Sequence, residues 1–182
     1  MDTELVRRAQ QGDREAYTRL AGMLTARFLG ISHRILRDID LAEDATQQSL
    51  VTIWQRLPQL RDPERFEAWA HRLLVRACYA ESQRARRWAP GLTLTPANEP
   101  AAIDELGAVN DRDELERAFR RLSFNHRSVV VLRHYAHLSL EEVATTLDIP
   151  VGTAASRLHY ALRELRSAVQ ADARPAHQRS IP

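Results

Sequence analysis

The side chains that could do chemistry in this sequence are hydrogen-bond donors and cations rather than catalysts. The densest run is Ser156, Arg157, His159, Tyr160 and Arg163. Hydroxyl, imidazole and guanidinium groups on the outer side of one helix suit base edges and phosphates in a DNA major groove. A second concentration is FEAWAHRLLVRACYAESQRARR, residues 66–87, where Arg72, Arg76, Arg84, Arg86 and Arg87 outnumber the acids. They interleave with Trp69, Tyr79 and, just beyond, Trp88. Arginines for phosphates and rings for unstacked bases are what a single-stranded nucleic acid needs. The same pattern arises when the aromatics are core and the arginines merely solvated. Metal chemistry is poorly served. His134-x-x-His137 offers two ligands, but no nearby carboxylate or cysteine completes a site. The other scattered histidines and the lone Cys78 are read as core, cap or DNA contacts. No catalytic residue, metal or cofactor is expected, and the chain is not expected to be an enzyme.

The donor run needs an element to hold it, and residues 139–166 supply one. Ser139 and Glu142 form an S-x-x-E capping box. Leu140, Val143, Ala144 and Leu147 then recur at helical spacing. Pro150 disfavours the α conformation at Ile149 and ends that helix. A second helix starts near Val151, with Leu158, Ala161, Leu162 and Leu165 as its inner stripe. Two helices, a short turn and a polar outer face describe a helix-turn-helix, or, in the plainer reading, an ordinary helical hairpin. The second helix is about 28 Å long and a groove is about 12 Å wide. Only its first turns can enter, which selects Thr153 to Tyr160; Ser156 and His159 are placed for bases, Arg157 and Arg163 for phosphates.

Composition sets outer bounds. The chain has 182 residues, 44% of them apolar, enough for one large domain or two small ones. A formal charge of +2 does not by itself argue for a nucleic-acid partner, although all 26 basic residues are arginine. One cysteine excludes an internal disulfide and fits a reducing compartment. The first residues lack the apolar core of a signal peptide. No stretch approaches the 18 apolar residues of a membrane span. A cytoplasmic protein without membrane insertion is expected.

In chain order, residues 2–37 read as helices, with Leu5, Val6, Ala9, Ala16, Tyr17, Leu20, Leu24, Phe28, Ile31, Ile35 and Leu36 as core and Asp13 as an N-cap. Residues 41–57 form a helix that Asp40 can cap. Its packed side is Ala42, Ala45, Ser49 or Leu50, Ile53 and Leu57; its other side is Glu43, Asp44, Gln47, Gln48 and Val51. Such an acidic–amide side is either a docking face or simply solvated. Asp62-Pro63 opens the arginine-rich helix, with Phe66, Trp69, Leu73, Ala77 and Ala80 as core. Residues 89–110 hold three prolines and two glycines without sustained period, and read as a linker. Its acidic composition suits a solvated spacer, or a segment that follows a basic channel in a partner. It could extend to about 70 Å or average about 25 Å as a coil, so the two halves can lie side by side or far apart. Beyond it, Leu115, Ala118, Phe119 and Leu122 form a stripe, Val129, Val130 and Leu132 begin a second core, and the tail frays.

Taken together these motifs resemble the extracytoplasmic-function (ECF) sigma factors, the two-domain group of bacterial sigma factors. LAEDATQQSLVTIW, residues 41–54, is similar to the family's A-E-D-x-x-Q-x-x-(F/L)-x-x-(V/I)-W motif. FEAWAHRLLVRACYAESQR resembles the segment that follows it, and residues 122–166 resemble region four along their length. The resemblance implies an all-α fold of two small helical domains joined by a flexible linker. Region 2 would span 1–88, the linker 89–110, region 4 111–171 and a tail 172–182. It implies core RNA polymerase binding through Asp44, Gln47, Gln48, Leu50 and Trp54. It implies promoter −10 DNA recognition and melting, with capture of single-stranded bases, around Arg61, Arg72, Arg76, Arg84, Arg86 and Arg87. It implies double-stranded −35 DNA recognition by Thr153, Ala155, Ser156, Arg157, His159, Tyr160 and Arg163. Many family members are held inactive by an anti-sigma factor, and the resemblance extends that expectation to this chain. The family often has Asn where Arg76 stands, Asp at Ala80, and Arg at Ala155 and Tyr160, so its promoter sequences do not transfer. The competing readings are a stand-alone helix-turn-helix regulator, for which residues 42–54 would be only packing, and an adaptor that binds protein alone.

Overall fold

The computed structural model describes residues 2–88 and 108–172. Most of the expected linker and nearly all of the expected tail therefore lie outside the described residues. Within them the chain is helical, without strands. Helices α1 (Thr3–Gln10), α2 (Arg14–Leu36), α3 (Ile39–Arg56) and α4 (Phe66–Trp88) form the first bundle. Helices α5 (Ala108–Arg121), α6 (Phe124–Val130), α7 (Leu140–Leu147) and α8 (Val151–Asp172) form the second. α5 thus begins three residues inside the expected linker.

Local chemistry starts and stops these helices. Asp13 accepts from the Ala16 amide at 3.0 Å and caps α2 as expected. Gly12, at φ 91°, makes the turn between α1 and α2. The cap of α3 is Asp38, which accepts from the Leu41 amide at 3.0 Å, not the expected Asp40. Asp40 lies two residues past the cap, inside the first turn, where its charge faces the positive end of the helix dipole. Asp62 opens a short 3₁₀ turn, Pro63–Arg65, that runs into α4. The capping box before α7 is complete: the Glu142 amide donates to Ser139 Oγ at 3.2 Å and the Ser139 amide donates to Glu142 Oε2 at 2.7 Å. Ser139→Ala removes a side-chain cap and is expected to cost about 1 kcal/mol. The urea midpoint, read by circular dichroism, checks it.

The stripes foreseen for α2 and α3 are buried: Leu20, Phe28, Ile31 and Ile35 on one, Ala42, Ala45, Ser49 and Ile53 on the other. Two expected core positions are not. Ala80 is exposed, because the buried side of α4 turns to Ala70, Leu74, Cys78, Glu81 and Ser82. Leu115 is exposed as well, while Ala118 on α5 and Leu122 just after it are buried. Cys78 has no exposure, donates weakly to Ser32 Oγ at 3.4 Å, and burial pushes its thiol up to about 12, so it is inert.

The larger result concerns the cores. Second-bundle residues Val129, Val131, Leu132, Ala136, Val143 and Ala144 share one continuous cluster with the apolar residues of α1 to α4. Among the described residues, a small satellite of Ala118, Leu122, Val130, Ala161 and Leu165 belongs to the second bundle alone. The two halves lie side by side, with α7 against α4 and the α6 segment against α2.

Candidate polymerase and nucleic-acid interfaces

Three of the sequence-derived site sets fall on three separate elements. On α3, Asp44, Gln47 and Gln48 are exposed, Leu50 is half-buried and Trp54 is 37% exposed. Gln47, Leu50 and Trp54 line an apolar groove of about 410 Å³ between α2 and α3, together with Tyr17, Ala21 and Val51, among others. Tyr17 fixes the wall of that groove. Its ring lies 4.6 Å from that of Trp54, and its hydroxyl donates to the Leu50 carbonyl at 2.5 Å. Partial burial raises the Tyr17 pKa, so the phenol stays a donor. An indole and Val51 stay open to solvent beside exposed amides and a carboxylate. Sequence reasoning picks out Trp54 and places Val51 on this side of the helix, but takes Tyr17 only as core. The signal was the exposed apolar residue at a position otherwise polar.

The arginine set is spread along α4 and the turn before it. Arg61, Arg76, Arg84, Arg86 and Arg87 are exposed, and Arg72 is half-buried. Arg84 pairs with buried Glu81 at 3.1 Å. The two arginines near the middle of α4 face the second bundle. Arg72 Nη2 donates to the Thr145 carbonyl at 2.8 Å, and Arg76 Nη2 stands 3.9 Å from Asp148 Oδ2. Of the interleaved aromatics, Trp69 packs beside Phe66 with ring centres 6.1 Å apart, as a partly buried core residue. Tyr79 is 52% exposed and meets the edge of Phe124 at 5.5 Å. The side chain of Trp88 lies outside those described. Trp69 thus packs as core, while Tyr79 is exposed.

On α8, Ala155, Ser156, His159, Tyr160 and Arg163 are exposed, while Thr153 and Arg157 are half-buried. Ala154, Ala161 and Leu165 are the buried side. The Ser156 hydroxyl donates to the Thr153 carbonyl at 3.1 Å, so toward a base it is left to accept. His159 and Tyr160 stand edge to face with centres 5.7 Å apart. Asp148, in the left-handed region at φ 56°, and Pro150 make the tight turn that sets α8 against α7.

His134 and His137 are exposed, and among the described residues no three His, Cys, Asp or Glu side chains converge as a metal site. No described helix is long and apolar enough to cross a membrane.

Comparison with known proteins agrees with this geometry. The sequence model of Sigma-70 region 2 matches residues 20–88, and that of Sigma-70 region 4 matches residues 118–167. The ECF RNA polymerase sigma factor SigL of Mycobacterium tuberculosis is 33% identical over 141 residues, covering 75% of this chain and 79% of SigL. The RNA polymerase sigma-H factor of Pseudomonas aeruginosa is 27% identical, covering 93% and 94%. The chain belongs to the ECF sigma factors of the sigma-70 family. Two solved structures share the fold, each with a TM-score of 0.68. One is CnrH in complex with the cytosolic domain of CnrY, 23% identical, covering 94% of this chain and 98% of that one. The other is RpoE in complex with the anti-sigma factor NepR from Bartonella quintana, 20% identical, covering 86% and 98%.

Proposed function

We propose that the chain joins core RNA polymerase through the α3 face, reads the promoter −35 element with α8, and melts and holds the −10 element with α4. The observation that carries the reading is the apolar groove beside Trp54, open to solvent and lined by Tyr17, Gln47, Leu50 and Val51, with Asp44 and Gln48 exposed on the same helix. Duplex reading fits α8 because its first turns expose donors and acceptors, with arginines nearby for phosphates. Strand capture fits α4 because it offers guanidinium groups and an exposed Tyr79 ring rather than a reactive side chain. The domain bounds proposed are 1–88 for region 2 and 111–171 for region 4. The work is cytoplasmic, where polymerase and promoter meet. An anti-sigma partner is part of the reading, supported by the complexes in which the two solved relatives were captured.

Run-off transcription with bacterial core polymerase tests this. Promoter-specific transcripts are expected only when the protein is added. Asp44→Ala combined with Gln47→Ala is expected to cut them at least about tenfold at limiting polymerase, the effect of losing part of an interface centre. Tight duplex binding without any specific transcript would instead identify a stand-alone regulator.

A further inference from the structure

We propose that the C-terminal end of α7 is an internal stand-in for the −10 strand: it occupies Arg72 and Arg76, so domain closure and strand binding exclude each other. The inference rests on the assignment of strand binding to α4.

The chemistry follows from what a helix end offers. The last carbonyls of a helix have no intrahelical partner and carry the negative end of its dipole. In α7 the Thr145 carbonyl accepts from the cap amide of Asp148 at 3.4 Å and, with its second lone pair, from Arg72 Nη2 at 2.8 Å. The next charge along is Asp148, the left-handed cap, with Oδ2 3.9 Å from Arg76 Nη2. An oxygen acceptor and a carboxylate one helical turn apart present to two guanidinium groups what successive phosphates of a strand would present. Arg72 and Arg76 are themselves one turn apart, so the match is in spacing as well as in charge.

A second set of contacts, away from these arginines, holds the halves together. Val131–Tyr135 is a π-helical turn closed by the Ala136 amide donating to the Val131 carbonyl at 3.0 Å. The wider turn carries Tyr135 onto α2, where its ring lies over Gly30, a place a Cβ would fill. The Arg34 guanidinium stacks on that ring, 3.7 Å from its centre. Arg27 Nη2 reaches the Ala136 carbonyl at 3.4 Å, and Arg37 pairs with Glu116. Closure also brings like charges together. Arg127 is half-buried near Arg37 and Arg86, with its Nε covered and unpartnered. Burial and those two cations pull its pKa down to about 10. Attraction at the α7 end and at Tyr135 is therefore set against crowding of cations, a closure that a polyanion can undo.

The test uses the full chain with a donor–acceptor dye pair on Arg19→Cys and Glu141→Cys, both exposed, since buried Cys78 will not label. The probe is unlabelled single-stranded DNA of about 16 nucleotides, the upper site size of a strand-binding groove. Energy transfer is expected to fall as DNA binds, with the same midpoint as binding followed by anisotropy. Tyr135→Ala and Asp148→Asn lie outside the proposed DNA-contacting sets. Each is expected to lower that midpoint about threefold, the scale of one exposed cation–π contact or ion pair. Asp148→Asn keeps a residue tolerant of the left-handed region, so it reports on charge even where Tyr135→Ala disturbs folding. Arg72→Ala with Arg76→Ala separates the two ideas. Undiminished DNA binding by that double variant removes the assignment of α4 to the strand. Weakened binding by it, with unchanged energy transfer in the parent at DNA saturation, leaves the assignment standing and overturns the internal stand-in.

Discussion

Phe28→Ala is expected to destabilise the protein by about 3–5 kcal/mol, the range for deleting a fully buried phenyl ring. Phe28 has no solvent exposure and sits on α2 in the cluster common to both bundles, its ring 5.7 Å from that of His71. A typical domain is stable by only about 5–15 kcal/mol, so the variant would sit near its unfolding threshold at room temperature. The position also reports on the architecture. Because Val129, Leu132 and Val143 belong to the same cluster as Phe28, loss of the ring is expected to shift one cooperative urea transition that includes both bundles. Far-UV circular dichroism together with Trp fluorescence checks this. All three Trp lie in the first bundle, so a fluorescence transition that separates from the dichroism transition would show halves that unfold independently.

Acid is expected to destabilise the closed chain through His71, and the sign follows from its burial. His71 is 1% exposed, and neither ring nitrogen has a hydrogen-bond partner. Burial lowers its pKa from 6.5 to about 4, with help from the Arg27 cation on α2 and against the pull of Glu67 on α4 and Glu142 on α7. The unfolded chain takes up a proton near 6.5 that the folded chain refuses until about 4. Stability is therefore intact above that window and falls as pH drops through it, by about 3 kcal/mol in all. His71→Leu removes the titrating group and two unpartnered nitrogens while keeping an apolar contact for Phe28. It is expected to be at least as stable as the parent near neutral pH and to lose this part of the acid sensitivity. Urea midpoints of parent and variant at about pH 7 and about pH 4.5, compared as differences, isolate the His71 contribution from the carboxylates. Equal acid losses in the two chains would show that His71 is not the group responsible.

Local patterns told the sequence reader most where one residue suffices to make the physics. Ser139 with Glu142, Asp13, and the Asp148-Ile149-Pro150 turn are caps and breaks whose partners lie within four residues, and each forms as expected. The α3 faces were readable because period alone decides which side chains share a side, and the exposed Asp44, Gln47 and Trp54 follow from it. Period is weaker where a helix packs on two neighbours. On α4 the expected stripe led to Ala80, but contact with α2, α3 and α7 turns the helix so that Ala70, Leu74, Cys78 and Glu81 are covered instead. The groove at Trp54 was half legible: its α3 wall is periodic, but its Tyr17 wall comes from a residue 37 positions earlier in the chain.

By itself the sequence determined the helices, the helix-turn-helix, the chemistry of its exposed face and membership of the sigma-70 family, because caps, periods and motifs are short-range properties of the chain. Only the tertiary structure decided that the two bundles share a core, that Arg72 and Arg76 are engaged by the end of α7, that Tyr135 rests on Gly30, and that His71 is buried without a partner. Each of those depends on side chains brought together across long separations in the chain, 73 residues from Arg72 to Thr145. No local spacing encodes such a meeting. It is set by which apolar surfaces bury each other best once both bundles exist.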